Sequence, residues 1–114
     1  MTTINPQQPL VTLINVFTVE PEDQGRLVDL LEEATGQVMR HLPGFISANI
    51  HRGLDGRHVA NYAQWESREA FQRMLTDPEA GRHMEPIRQI ATNEGYLYEV
   101  VHVEDRPSGG PRLA

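Results

Sequence analysis

The chain has 114 residues, no cysteine and a formal net charge of −6 at pH 7, a length that suits one domain with a single core. The negative charge argues against nucleic acid and anionic membranes as partners, and the lack of cysteine excludes disulfides and thiolate metal ligands. We find no apolar run long enough to span a bilayer and no signal-peptide pattern, so we expect a cytoplasmic protein.

The N-terminal part is predicted to hold a flexible leader, residues 1–9, and then a strand at Val11–Val19. That strand is rich in β-branched and aromatic residues, and both of its faces are largely apolar. A strand of this kind is usually covered on both sides, which is a first indication of a partner subunit.

The next segment has the pattern of an amphipathic helix. Pro21 suits a first helical turn, and Glu22 and Asp23 favour the positive N-terminus of a helix. Apolar residues then recur at helical spacing until Pro43-Gly44, before which the helix must end.

Two strands joined by a turn are predicted at Phe45–Arg52 and His58–Trp65, with residues 53–56 in the turn. We expect Arg52 to pair with Arg57. Alternation divides the second strand, HVANYAQW, into a face of Val59, Asn61, Ala63 and Trp65 and a face of His58, Ala60, Tyr62 and Gln64. The first face is expected to lie against helices, as ordinary core or as the wall of a pocket for a flat organic molecule.

The C-terminal half predicts a segmented helix. Ser67 can cap its first piece, and residues 76–78 end that piece and begin another. Pro86 is expected to break the second piece. A last strand is predicted at Tyr96–Val103, and residues 104–114 are rich in proline and glycine, which predicts a flexible tail or a dimer arm.

The resulting order, β-α-β-β-α-β, predicts an α+β fold: a ferredoxin-like split β-α-β antiparallel sheet over residues 10–103. Its expected strand order is 4-1-3-2, with the helices on one face. Asn15 and Asn61 then lie on neighbouring central strands and face the helices. We expect the bare face of the sheet to pair with a second copy, which gives a homodimer.

The five histidines show no spacing typical of metal ligands, so no metal site is predicted. In the expected register His51 faces His58, which allows a metal bridge or a pH-sensitive contact, but surface or interface histidines are the favoured explanation of the pair. His83 lies on the segmented helix, from which it could reach a cavity as an acid or base. Phosphate-binding glycine loops and nucleophile motifs are absent from the sequence.

The remaining candidates for chemistry are Asn15, Asn61 and Trp65. A buried amide without a partner costs a few kcal/mol, so two of them facing a core indicate either local partners or a ligand. Asparagine is a neutral donor suited to an oxyanion that forms on a phenol or ketone, and an indole supplies a flat wall.

Three stretches resemble the antibiotic-biosynthesis monooxygenase family, whose fold is a dimeric α+β barrel: VTLINVFTV, the helix that ends in LPGF, and NYAQWESREAF followed by a broken helix. The Asn-x-x-x-Trp spacing of Asn61 and Trp65, together with Asn15, resembles a narrower branch. Those enzymes are cofactor-independent and oxidise anthrone-type aromatic polyketides to quinones with O2.

The resemblance implies site residues, no metal or cofactor, and O2 as co-substrate. The implied catalytic residues are Asn61, Trp65, Asn15 and His83. The implied substrate-binding residues are Phe17, Phe71, Met74 and Met84. Phe71 stands where some members have a tyrosine, so a phenol that could move a proton is missing. The base that takes the proton could then be His83 or a bound water, or the substrate could be acidic enough to need no base.

Three alternatives stay open. The family also holds haem-degrading enzymes, but the corresponding stretch here offers Met74 and Met84, with His83 one place off, which disfavours haem cleavage. Other relatives modify signal molecules. A non-catalytic dimer that binds a small aromatic ligand would show tight binding without O2 uptake.

Overall fold

A computed structural model describes residues 1–107 of the chain. The described strands and helices are β1 Val11–Val19, α1 Gln24–Gln37, β2 Phe45–Arg52, β3 His58–Trp65, α2 Arg68–Leu75, α3 Pro78–Ile90 and β4 Ala91–Tyr98. Short 3-10 turns, Pro21–Asp23 and Met39–His41, flank α1. The predicted bounds of β1, β2 and β3 are confirmed. Residues 108–114, which belong to the predicted tail, lie outside the described part.

The strands form one antiparallel sheet in the order β2-β3-β1-β4, which confirms the predicted order read from the opposite edge. Helices cover one face of it. Between the layers lies an apolar cluster made of Phe17, Val19, Leu27, Leu31, Val59 and Ile87. Because these side chains come from β1, α1, β3 and α3, their burial fixes both helices on the face that carries Asn15 and Asn61.

The register of the β2–β3 hairpin differs from the predicted one. Arg52 pairs with Val59 rather than Arg57, and His51 pairs with Ala60, so the predicted His51–His58 pair is wrong. The turn is two residues longer on the β3 side than expected. A shift of two residues leaves every side chain on its original face, so the prediction for the two faces of β3 still holds.

His58 has a different partner from the predicted one. Its Nδ1 lies 2.5 Å from Oδ2 of Asp55, within the turn. Asp55 Oδ1 accepts a hydrogen bond from the main-chain N–H of Arg57 at 2.8 Å. The Arg57 hydrogen bond, followed by the one from His58, holds the pKa of Asp55 below its ordinary value.

The predicted segmented helix is interrupted between α2 and α3, as expected, but it is not interrupted at Pro86. Ser67 caps α2 by accepting from the N–H of Ala70. Asp77 caps α3 by accepting from the N–H of Ala80. Pro86 does not break α3, which runs unbroken to Ile90. The proline removes one helical hydrogen bond, whereas burial of Ile87 beside it holds the helix on the core.

The last strand begins earlier than predicted, at Ala91 instead of Tyr96, and it ends at Tyr98. Ala91 follows the helix directly with extended backbone angles, so no loop separates α3 from β4. The polar sequence after Ala91 is typical of a turn, but β4 is an edge strand with most side chains in solvent. The correction brings Asn93 opposite Phe17 and Gly95 opposite Asn15.

The glycine of the LPGF stretch allows α2 to pack close to the start of β2. Gly44 has a φ of 86°, a backbone conformation that favours glycine. A Cβ at this position would collide with the Cβ of Ala70 on α2. Its carbonyl accepts from the N–H of Glu66 at 2.7 Å, which ties this turn to the end of β3.

The face of the sheet away from the helices carries exposed apolar side chains, namely Ile14, Val16, Tyr96 and Tyr98. The leader lies against part of this face: the hydroxyl of Thr2 donates to Asn49 Oδ1, and Gln64 donates to the carbonyl of Thr3. Within residues 1–107, none of the helices has the length and apolar character needed to cross a membrane.

Candidate active site

A cavity of about 380 Å³ lies between the helices and the covered face of the sheet. Its sheet side includes Leu13, Asn15, Phe17, Asn61, Trp65 and Asn93, and its helix side includes Leu31, Thr35, Met74, Met84 and Ile87. This volume lies within the range of about 300–1,000 Å³ that is usual for small-molecule sites. An apolar wall with a few polar groups suits a flat, largely apolar ligand that carries a few oxygen atoms.

Seven of the eight residues that the sequence singled out line this cavity: Asn15, Asn61, Trp65, Phe17, Phe71, Met74 and Met84. His83 is not among its lining residues. The Nδ1 atom of His83 lies 3.1 Å from the carbonyl oxygen of Glu79, and its Nε2 lies 3.3 Å from Oε1 of Gln37. The catalytic or binding role of each of these side chains stays a prediction.

Asn15 and Asn61 lie directly opposite each other on β1 and β3. Asn61 Oδ1 accepts from the main-chain N–H of Asn49 at 3.3 Å, and Asn15 Oδ1 accepts from Nδ2 of Asn93 at 2.9 Å. A main-chain N–H can only donate, so the partner of Asn61 must be the oxygen of its amide. Neither amide nitrogen has an acceptor among the described residues. The side-chain amides of Asn15 and Asn61 therefore supply two adjacent N–H donors to the cavity.

Trp65 forms the aromatic wall of the cavity. It is 2% exposed and lies between two phenylalanine rings, Phe45 at 5.5 Å and Phe71 at 6.3 Å between ring centroids. Both contacts are edge-to-face, the favourable geometry for aromatic pairs. A β-bulge in β2 after Phe45 brings that ring opposite Trp65. The indole is thus held in one orientation before any ligand binds.

The cavity holds little charge. Arg88 is the only ionisable side chain that lines it in the described part of the chain, and its Nη1 lies 3.2 Å from Oε2 of Glu85. No histidine or carboxylate of residues 1–107 lines the cavity. In the same residues, no group of three His, Asp or Glu side chains could hold a metal ion.

Arg88, Asn93 and Gly95 also line the cavity, although they were not predicted as site residues. The last two were missed because the final strand was placed too late in the chain. The signal that could have found them is the short distance between a helix ending near Ile90 and the aromatic pair at Tyr96 and Tyr98, which leaves little room for a loop.

Comparisons with known proteins agree on one family. Residues 10–86 match the family described as "Antibiotic biosynthesis monooxygenase". The chain is 43% identical over 102 residues to tetracenomycin-F1 monooxygenase of Streptomyces glaucescens, an alignment that covers 90% of this chain and 91% of that protein.

Solved structures show the same fold. A monooxygenase from the gene ActVA-Orf6 of Streptomyces coelicolor, in complex with the ligand nanaomycin D, has a TM-score of 0.76 at 28% identity, covering 90% of this chain and 96% of that one. SnoaB, a cofactor-independent oxygenase from Streptomyces nogalater, has a TM-score of 0.72 at 26% identity, covering 83% and 96%. The predicted ferredoxin-like α+β fold is thereby confirmed.

Proposed function

Since the chain belongs to the antibiotic biosynthesis monooxygenase family, we propose that it oxidises an anthrone-like or hydroquinone-like polyketide to a quinone with O2, without a cofactor. The observation that carries the proposal is the pair of amide N–H groups, Asn15 and Asn61, beside the aromatic wall of Trp65. The names of the relatives support it: one is a tetracenomycin-F1 monooxygenase, one a cofactor-independent oxygenase, and one binds nanaomycin D.

The proposed reaction starts from an anthrone, whose central CH2 group loses a proton to give a delocalised enolate. The enolate passes one electron to O2, and the two radicals combine to a peroxide. Loss of water from the peroxide leaves the quinone, so one oxygen atom enters the product and the other leaves as water. The two amide donors stabilise the negative charge on the enolate oxygen. Trp65 and the apolar wall orient the rings and exclude water.

We propose a bound water, or the acidity of the substrate itself, as the route for the proton. The lack of a lining histidine or carboxylate among the described residues supports this choice over His83. Two fixed donors to the enolate oxygen favour the charged form, so they lower the pKa of the bound substrate relative to the same cavity without them.

The test is O2 consumption and quinone absorbance with a panel of a hydroxylated anthrone, a naphthohydroquinone and hemin, without added cofactor. We expect O2 uptake and quinone formation with the anthrone, and no shift of the hemin Soret band. Tight binding of the anthrone without O2 uptake would contradict the proposal and favour a non-catalytic binding protein. A His83→Gln variant should keep the pH profile of the parent; loss of its acidic limb would identify His83 as the base, because a base is inactive when protonated.

We propose that the protein acts as a homodimer in the cytoplasm. The exposed apolar side chains of Ile14, Val16, Tyr96 and Tyr98 support a partner subunit on the outer face of the sheet. Sedimentation equilibrium at assay concentration should give a mass twice that of one chain, which is 12.9 kDa. A monomer under these conditions would contradict the proposal.

A further inference from the structure

We propose that two residues of β4, Asn93 and Gly95, set which end of the Asn15 amide faces the cavity. They are positioning residues, because they would act on the substrate through Asn15. The inference rests on the proposed function, in which the Nδ2 group of Asn15 bonds the enolate oxygen.

Asn93 lies on the same face of the sheet as Asn15. It is two residues away along β4 from Gly95, the residue directly opposite Asn15. Asn93 pairs with Phe17 and Gly95 pairs with Asn15, so Asn93 reaches Asn15 along the diagonal. The hydrogen bond runs from Nδ2 of Asn93 to Oδ1 of Asn15 at 2.9 Å. With its oxygen held in this way, Asn15 turns its own N–H groups away from β4 and toward the cavity.

The two asparagines of the cavity are anchored by different means. Asn61 is held by the main-chain N–H of Asn49, which no substitution at that position other than proline removes. Asn15 is held by a side chain. The two ends of a carboxamide are nearly the same size, so the amide of Asn15 presents its N–H groups to the ligand only while Asn93 turns its own N–H toward Asn15.

Gly95 provides the space in which the Asn15 amide lies. A Cβ built on Gly95 would stand 2.9 Å from Oδ1 and 3.1 Å from Cγ of Asn15, closer than ordinary carbon contacts. The backbone does not itself require glycine here, because Gly95 is not one of the glycines with positive φ within residues 1–107, which are Gly44 and Gly56. The atoms in conflict belong to the movable end of a side chain, so a methyl group would displace the amide and leave the strand in place.

The experiment is a double-mutant cycle between Gly95 and Asn15, measured as kcat and KM for O2 uptake with a hydroxylated anthrone. We expect Gly95→Ala to lower kcat about tenfold, with a smaller change in KM, because the Asn15 donor is displaced from the enolate oxygen but not removed. In an Asn15→Ala background, the same glycine substitution should have no further effect, since the methyl group enters vacated space.

The role of Asn93 is tested by two substitutions, one that removes its hydrogen-bond donor and one that replaces the donor by an acceptor. Asn93→Ala removes the donor and leaves Asn15 free to turn. Asn93→Asp has the same shape but replaces the donor by an acceptor, so it should draw Nδ2 of Asn15 toward β4. We expect Asn93→Asp to lower kcat more than Asn93→Ala, and either substitution to have little effect once Asn15 is alanine. Gly25→Ala is the matched control, because a Cβ there contacts nothing within 4 Å.

A purely structural role for β4 predicts a different result, in which Gly95→Ala lowers kcat by the same factor in the Asn15→Ala background as in the parent. This outcome would overturn the inference. The same cycle run on the Kd of a hydroxyanthraquinone separates positioning from turnover. Trp65 is the only tryptophan, so quenching of its fluorescence reports binding directly. Cycle coupling in Kd without O2 uptake would uphold the inference and refute the proposed oxygenase; a parent that neither binds nor turns over refutes both.

Discussion

We expect the Asn61→Ala variant to oxidise its anthrone about 100- to 1,000-fold more slowly than the parent, the usual cost of removing one oxyanion donor. Asn61 is the donor whose orientation the main chain fixes, because its oxygen accepts from the main-chain N–H of Asn49. Its N–H group therefore needs no reorganisation when charge develops on the substrate. The loss should appear in kcat rather than in KM, since the ketone of the ground state binds a neutral donor weakly.

The measurement is initial-rate O2 uptake, with quinone absorbance as a second readout. Asn61→Asp keeps the shape of the side chain but removes both N–H donors, so it should lose at least as much rate as the alanine variant. Asn5→Ala is the control asparagine, since Asn5 lies in the leader, outside the cavity. A parent-like rate for Asn61→Ala would show that the enolate oxygen is held elsewhere.

We expect Phe17→Ala to lower the free energy of unfolding by about 3–5 kcal/mol, the usual cost of truncating a fully buried phenylalanine. Phe17 is 1% exposed and packs in the cluster that joins β1 to α1, β3 and α3. One side of its ring also lines the cavity. Because the ring belongs to the core cluster, its loss should weaken the whole domain, whose total stability is of the order of 5–15 kcal/mol.

Urea unfolding at a fixed protein concentration measures this effect, because association with a partner would otherwise shift the midpoint. Phe17→Leu keeps most of the volume and should cost less than about 1.5 kcal/mol. Phe71→Ala, on the half-buried cavity wall, should cost less than Phe17→Ala. A Phe17→Ala variant with parental stability and a raised KM would show that the ring serves the substrate rather than the core.

Local pattern was sufficient to predict most of the fold. Two-residue alternation assigned Asn61 and Trp65 to the covered face of β3, and that assignment holds even though the hairpin register was predicted two residues away. The period of a strand is two, so a two-residue error in pairing is invisible to face assignment. The strand order placed Asn15 beside Asn61, and the structure puts them directly opposite each other.

Local pattern was insufficient where a long-range contact overrides a residue's usual preference. Pro86 stays helical because burial of its neighbour Ile87 outweighs one missing hydrogen bond. Asn93 and Gly95 favour a turn by composition, but the edge of the sheet holds them as a strand.

The sequence by itself determined which face of β1 and of β3 lies toward the cavity, because two-residue alternation is a property of the neighbouring residues alone. Only the tertiary structure decided which end of each amide points into it. That choice depends on hydrogen bonds across the sheet, one from the main chain of Asn49 and one from Asn93, which lies 78 residues from Asn15 in the chain. No local pattern encodes a contact at that separation, since it exists only once the strands have paired.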